Sequence, residues 1–140
     1  MNKELTSSQK GEIAKLKVEQ RAHEKGWIPS RTVDHARYDL VLDDGERLYR
    51  VQVKYTDSRN ARADGSVSIN LKKEKYNGTT NYRVYSQKEI DVLLVYVQKA
   101  DCLCWLGPEH FNNKTSLFLR YRPSKNGQTK RTKMIQDFKW

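Results

Sequence analysis

The sequence predicts a layered α/β domain in which a helix covers a central β-sheet. One amphipathic segment near the N-terminus has helical periodicity, and several short apolar segments after it alternate as strands do. A chain of 140 residues with 36% hydrophobic residues is long enough for one compact domain with one modest core. We therefore expect residues 1–140 to form a single domain.

The first element is a helix that begins after Thr6. Thr6 and Gln9 have the spacing of a capping box, in which each side chain accepts a hydrogen bond from a free backbone N–H group. Apolar residues then recur at helical spacing as far as the glycine at position 26, where the helix is expected to end. Their stripe consists of Ala14, Val18 and Ala22.

A β-hairpin is predicted in the middle of the chain. Two alternating segments, 38–42 and 48–54, flank the turn sequence Asp-Asp-Gly-Glu, in which Asp-Gly supplies the positive φ angles of a tight turn. A two-residue turn at 44–45 would place Asp39 opposite Arg50.

The alternation of this hairpin separates polar from apolar side chains. One face holds Asp39, Gln52 and Lys54, together with Arg50. The other face is expected to be core and consists of Leu40, Leu42, Tyr49, Val51 and Val53. Polar residues on a wet sheet face need no function. In a layered domain, however, a helix is expected over the polar face, where unpaired Asp and Lys side chains would be costly. The three residues are therefore a candidate site.

Four further strands and one helical turn are expected after the hairpin. The strands are 67–71, 92–97, 102–106 and 116–122, and the helical turn is 108–111. The second of these strands is continuously apolar, as in a strand buried on both faces. Cys102 and Cys104 alternate in the third and are too few for a structural zinc site. We expect them to be buried thiols, because i, i+2 cysteines on one strand seldom form a disulfide.

The charge of the chain favours a polyanionic partner. Lys and Arg number 27 against 17 Asp and Glu, which gives a net charge of +10. Nucleic acid is favoured over a membrane surface, because no basic segment has the apolar face of an amphipathic helix. The sequence also lacks a stretch of roughly 20 apolar residues and the apolar core of a signal peptide. We expect a cytoplasmic protein, which would be nucleoid-associated if the nucleic acid it binds is DNA.

Three polar segments are candidates for contact with DNA. They are the loops 57–66 and 72–85 and the basic C-terminal tail 123–140. Their basic residues include Arg59, Arg62, Lys72, Lys73, Lys75, Lys130, Arg131 and Lys133. Most of these contacts are expected to go to phosphates, which position DNA without specifying its sequence. The tyrosines at 76, 82 and 85 are expected to pack the second loop onto the core, with stacking on sugar as the alternative.

The hairpin resembles the sequence motif of the PD-(D/E)XK nucleases. Tyr-Asp-Leu-Val-Leu-Asp-Asp-Gly at 38–45, followed by Leu-Tyr-Arg-Val-Gln-Val-Lys at 48–54, is similar to a motif in which an aspartate ends one strand and acid-X-lysine lies on the next. Within this superfamily the chain most resembles small endonucleases that include homing endonucleases encoded by bacterial group I introns. The resemblance covers most of the chain. It implies a restriction-endonuclease-like core, with a central mixed β-sheet flanked by helices.

The resemblance also implies a metal-dependent hydrolysis of phosphodiester bonds. Asp39 is the expected main ligand of Mg²⁺, for which Mn²⁺ can substitute, and Gln52 and the Val53 carbonyl are auxiliary contacts. Lys54 would orient the attacking water or stabilise charge on the phosphate. Gln52 departs from the motif, which has an acid there, but its amide still offers an oxygen.

For two of these expected roles the sequence also allows another interpretation. Glu12, on the first helix, is expected to hold the metal or its water shell, although Glu19 lies two turns later and is also within reach of the sheet. Asp39 and Lys54 would otherwise form a partly buried salt bridge that only stabilises the hairpin.

Three functions are compatible with these residues. The first is a site-specific double-strand endonuclease of the homing or restriction type, and the second is a Holliday-junction resolvase. The third is a DNA-binding protein with a vestigial site, an alternative motivated by Gln52. One active site cuts one strand of double-stranded DNA. We therefore expect a symmetric homo-oligomer, a dimer or a tetramer, on near-palindromic DNA.

Overall fold

A computed structural model of the chain describes residues 3–74, 82–123 and 133–140. The helices are α1 (Ser7–Glu24) and α2 (Pro108–Phe111). The strands are β1 (Ile28–Arg31), β2 (Leu40–Asp43), β3 (Leu48–Thr56), β4 (Ser66–Asn70), β5 (Lys72–Glu74), β6 (Tyr82–Val84), β7 (Val92–Val97), β8 (Cys102–Leu106) and β9 (Ser116–Arg120). Short 3-10 helices lie at Ser58–Asn60, Gln98–Ala100 and Ile135–Asp137. Neither α-helix in these ranges is long and apolar enough to cross a membrane.

The centre of the molecule is a five-stranded sheet with the order β1-β2-β3-β7-β8. Strands β3 and β7 are parallel, and the other neighbours in this sheet are antiparallel. Helix α1 packs on one face of the sheet. The opposite face is covered by α2 and by a second, two-stranded sheet of β4 and β9. The predicted fold class, a central mixed sheet flanked by helices, is thus confirmed.

Helix α1 has the start and the buried stripe that its sequence predicts. Thr6 and Gln9 form a capping box in which each side chain accepts a backbone N–H. The stripe of Ala14, Val18 and Ala22 is completely buried against the sheet. Because these side chains are small, the helix lies close to the strands.

The apolar face of the hairpin is core, as expected, but the polar face lies on the side of β4, β9 and the short α2, not under α1. Leu40, Leu42 and Val51 pack against α1. Gln52 lies beside Leu93 in the register of β3 and β7, and Leu93 belongs to the core shared with β4 and β9. The expectation that the long helix covers the polar face was wrong, because the apolar stripe of α1 is buried on the apolar side of the hairpin.

The predicted two-residue turn of the hairpin was also wrong. Asp43 pairs with Leu48 and Val41 with Arg50, so the connection is a four-residue loop rather than Asp44-Gly45 alone. The Asp44 carboxylate accepts the N–H groups of residues 46 and 47, both at 2.8 Å, and closes this loop. Asp39 is therefore not opposite Arg50. The register moves by two residues, an even number, so the predicted alternation of faces along the paired strands is unchanged.

Strands β7 and β8 match their sequence patterns closely. All six residues of β7 are buried, as expected of a strand covered on both faces. Strand β8 pairs with it, and both cysteines of β8 are free thiols. Cys104 is buried, whereas Cys102 is only half-buried.

The end of the predicted basic tail packs onto the sheet. Lys139 forms a β-bridge with Cys104, and the N–H of Trp140 donates to the carbonyl of Leu103 at 3.0 Å. Ile135 is buried in the core beside β8. These residues cover an edge of the sheet that would otherwise present unpaired backbone groups.

Asp91 connects the hairpin to β7 and gives a testable dependence of stability on pH. Its carboxylate accepts three hydrogen bonds from Arg50, from the backbone N–H at 2.8 Å, Nε at 3.1 Å and Nη2 at 3.0 Å. These bonds hold the pKa of Asp91 below its usual range. A lowered pKa in the folded protein stabilises it above the unfolded pKa, and this contribution is lost as the pH falls through the folded pKa.

We expect Asp91→Asn to lower the melting temperature at pH 7 by about 3–8 °C, since about 1–2 kcal/mol of charged hydrogen bonding is lost. Below about pH 4 the wild-type protein should lose stability and approach the variant. Thermal unfolding by circular dichroism from pH 7 to pH 3 measures both effects. The exposed Asp34→Asn is the control. Equal melting temperatures of Asp91→Asn and wild type at pH 7 would contradict this role.

Candidate active site

Asp39 lies where the pairing of β2 and β3 ends. Its N–H donates to the Val51 carbonyl at 2.8 Å, and its own carbonyl accepts the Thr32 hydroxyl at 3.1 Å. Strand β2 begins at the next residue, so the edge of β3 beyond Val51 is not paired with β2. The Asp39 carboxylate lies along this edge, where Oδ2 accepts the N–H of Val53 at 2.9 Å.

The Val53 carbonyl lies on the same edge of β3 as the Asp39 carboxylate. The N–H and C=O of one strand residue point to the same side of the strand, and the N–H of Val53 is bonded to Asp39. Two oxygen donors, one of them charged, thus come together at this edge.

Gln52 and Lys54 lie on either side of Val53 in β3 and share the face opposite α1. Gln52 is only 9% exposed. The ammonium group of Lys54 lies 5.2 Å from the ring centroid of Tyr85. The structure thus brings Asp39, Gln52 and Lys54 together around Val53. The carboxylate approaches from the edge of the strand, and the other two side chains lie on its face.

Glu12 lies in the helical layer and is paired with Arg31 of β1, with 2.8 Å between Nη1 and Oε1. Glu19 shares the same guanidinium, whose Nε donates to its carboxylate at 2.9 Å. In the register of β1 and β2, Arg31 is opposite Leu40, which follows Asp39. Both helix glutamates that the sequence left open are therefore held by one arginine near the candidate site.

The donor atoms around Val53 suit a hard divalent cation. The Asp39 carboxylate, the Val53 carbonyl and the Gln52 amide all offer oxygen, which Mg²⁺ and Mn²⁺ prefer. The ranges 3–74, 82–123 and 133–140 hold no cluster of three or more His, Cys, Asp or Glu side chains that could bind a metal ion. A metal at this position would thus depend on the amide and the carbonyl as well as on Asp39.

Tyr85 is a neighbour of the site that sequence reasoning missed, since it was expected to pack on the core or to stack on sugar, and not to contact Lys54. It is buried, at 4% exposure, and its ring faces the Lys54 ammonium. Burial, together with the negative charge of Asp39, raises the pKa of Tyr85 to about 12. Its phenol is therefore neutral at physiological pH. No pattern in the sequence relates Tyr85 to the hairpin, because the contact joins distant parts of the chain.

The candidate DNA-binding residues are spread over several elements. Arg59, in the 3-10 helix at Ser58–Asn60, pairs with Glu4, and the guanidinium of Arg62 lies 5.0 Å from the Phe118 ring centroid. Lys72 and Lys73 are in β5. Lys133 is half-buried, and its carbonyl accepts the N–H of Arg120 at 2.7 Å. The remaining candidates, Lys75, Lys130 and Arg131, lie outside the described residues.

Comparisons with known proteins identify the fold and the family of the chain. The chain shares its fold with a bacterial homing endonuclease, I-Ssp6803I, with a TM-score of 0.76, 20% sequence identity, and coverage of 96% of this chain and 89% of that chain. A second similar structure is Hjc from Archaeoglobus fulgidus, a Holliday junction resolvase, with a TM-score of 0.48, 10% identity, and coverage of 79% and 84%. A search of curated proteins gave no match. A family model described as PD-(D/E)XK endonuclease matches residues 5–140. The chain therefore belongs to the PD-(D/E)XK endonuclease family.

Proposed function

We propose that this nuclease is a site-specific, Mg²⁺-dependent double-strand DNA endonuclease of the homing type, encoded in a group I intron. The observation that carries the proposal is the Asp39 carboxylate bonded to the N–H of Val53, between Gln52 and Lys54 on β3. The net charge of +10 favours a DNA substrate. The fold shared with I-Ssp6803I supports the homing type, and the resolvase alternative is left to experiment.

In this proposal, Asp39, the Val53 carbonyl and Gln52 would hold the metal ion, and Glu12 would support its water shell. A bound divalent ion would supply a water of lowered pKa and neutralise charge on the phosphate. Lys54 donates to the phosphate oxygen on which charge develops, or orients the attacking water. The neutral amide of Gln52 avoids placing a second carboxylate in a nearly buried position close to Asp39.

Cutting both strands needs two active sites, so we further propose a homo-oligomer, a dimer or a tetramer, on near-palindromic double-stranded DNA. Arg59, Arg62, Lys72, Lys73, Lys75, Lys130, Arg131 and Lys133 are its proposed phosphate contacts. Sedimentation velocity with and without DNA measures the number of subunits. If the complex that cuts both strands of the duplex contains a single subunit, the proposed homo-oligomer is wrong.

The test is cleavage by the purified protein in Mg²⁺, in Mn²⁺ and in EDTA. The two substrates are a library of randomised linear duplexes, whose new ends are sequenced, and a four-way junction. We expect double-strand cuts at one recurrent sequence, and only with metal. Paired nicks in the junction without cuts in linear duplex would instead assign a resolvase. DNA binding without cleavage under all three conditions would assign a vestigial site.

Tyr85 is expected to support cleavage through its ring rather than its hydroxyl. Because the ring lies against the Lys54 ammonium, Tyr85→Leu should slow cleavage by about 5- to 30-fold, through loss of the cation–π contact. The matched variant Tyr85→Phe keeps the ring and should cleave within about twofold of wild type. Single-turnover rates, measured well below both melting temperatures, compare the two variants. An equal loss of rate in both would assign the effect to the hydroxyl.

A further inference from the structure

A pocket of about 400 Å³ lies beside the candidate active site, between the first turns of α1, the second half of β3 and the 3-10 helix at Ser58–Asn60. We call it the α1–β3 pocket. Val53 and Lys54 form part of its wall, so it adjoins the edge on which the Asp39 carboxylate lies. A group bound in the pocket would therefore be next to the proposed site of cleavage.

The lining of the α1–β3 pocket is predominantly cationic. Lys10, Lys54 and Arg59 line it, against the single acid Asp57. Asp57 is bonded to Lys10, with 2.7 Å between Nζ and Oδ2, and it also accepts the N–H of Arg59 at 3.0 Å. Arg59 pairs in addition with Glu4, an exposed residue. The charge of the pocket suits a phosphate group of a nucleic acid.

Gly11 lines the same pocket, and neither a positive φ angle nor a close neighbour among the described residues requires a glycine at this position. It lies inside α1, where glycine lowers helix stability relative to alanine. Apart from its chain neighbours and the backbone of its own helix, a Cβ atom added there would meet no atom of the described residues within 4 Å. Each of the other four described glycines has either a positive φ angle or a neighbour closer than 3.0 Å to an added Cβ. They are Gly26, Gly45, Gly65 and Gly107.

We propose that the α1–β3 pocket binds a phosphate of the DNA strand next to the phosphodiester bond that is cut. Gly11 lets the sugar–phosphate backbone approach α1 at a place that a side chain would fill. Lys10 and Arg59 supply the positive charge. This inference rests on the proposed endonuclease function, since it names a binding subsite for the same substrate.

The test is Gly11→Ala, because the inference predicts opposite effects on stability and on binding. Alanine should raise the melting temperature by about 3 °C, as expected in a helix interior. It should also weaken binding of a fluorescein-labelled DNA duplex by about 10-fold or more, measured by fluorescence anisotropy in EDTA. Gln20→Ala, an exposed position on the same helix, is the control for binding. If Gly11→Ala is more stable and binds DNA as the wild type does, the inference is wrong.

A second variant tests the charge of the pocket. Lys10→Gln should reduce the slope of log Kd against log salt concentration by about one unit, the amount expected when one phosphate contact is lost. Thermal unfolding of the same variant shows whether the loss of the pair with Asp57 has disturbed the fold. An unchanged slope in a folded variant would also overturn the inference. Both binding tests are independent of cleavage, so a wild-type protein that binds but does not cut DNA would contradict only the proposed function.

Discussion

Asp39→Asn is expected to lower the rate of DNA cleavage by about 1,000-fold or more, while the fold and DNA binding are retained. Asparagine still has an oxygen that can accept the N–H of Val53, so the edge of β3 keeps its hydrogen bond. The negative charge is lost, and with it the strongest of the three oxygen donors that would hold the metal ion. The substitution therefore removes the charge of Asp39 but keeps its hydrogen bond with Val53.

Single-turnover cleavage at saturating Mg²⁺ measures the effect of Asp39→Asn, and thermal unfolding checks the fold. The control Asp34→Asn removes a carboxylate from an exposed position just upstream and should cleave as the wild type does. Cleavage by Asp39→Asn within about 10-fold of the wild-type rate would show that Asp39 does not hold a catalytic metal. The residue would then serve only to cap the edge of β3.

Lys54→Met is expected to slow cleavage by about 100- to 1,000-fold, the range for the loss of one group that stabilises the charge of a transition state. Methionine keeps most of the apolar stem that lies on the sheet face toward Tyr85, but it has no ammonium group. DNA binding should change little, because Lys54 would be one of many cations that contact the substrate.

Two measurements separate the effect of Lys54→Met on cleavage from its effect on binding. They are the cleavage rate at saturating protein concentration and the Kd for DNA. Lys88→Met, an exposed lysine in the turn before β7, is the matched control and should change neither. A large increase in Kd with an unchanged rate of cleavage would show that Lys54 serves only to bind the backbone of DNA. Full activity of Lys54→Met would remove it from the site altogether.

Gln52 stands where the family motif has an acid, in a position almost closed to solvent. The side chain is only 9% exposed and lies beside Leu93, on the face covered by β4 and β9. Without a metal ion to neutralise it, a carboxylate at this position would be desolvated. An amide supplies an oxygen donor without this penalty.

Much of the fold could be predicted from local patterns. The capping box and the alanine–valine stripe predicted α1, and the continuous apolar segment predicted a β7 buried on both faces. The register of the hairpin could not be predicted in the same way. It depends on the Asp44 carboxylate, which closes a four-residue loop, where Asp-Gly alone suggested a two-residue turn. The layer over the polar face was also mispredicted, because nothing in the pattern of β4 and β9 shows which side of the central sheet they cover.

The sequence by itself determined that Gln52 and Lys54 share one face of the hairpin, opposite the side chains that form its core. It could do so because the side-chain alternation of a strand is a local property and survives an even shift of register. Only the tertiary structure decided that Asp39 turns onto the edge of β3, that Glu12 pairs with Arg31, and that Tyr85 lies against Lys54. These contacts join residues far apart in the chain, and they depend on how the layers pack around the central sheet.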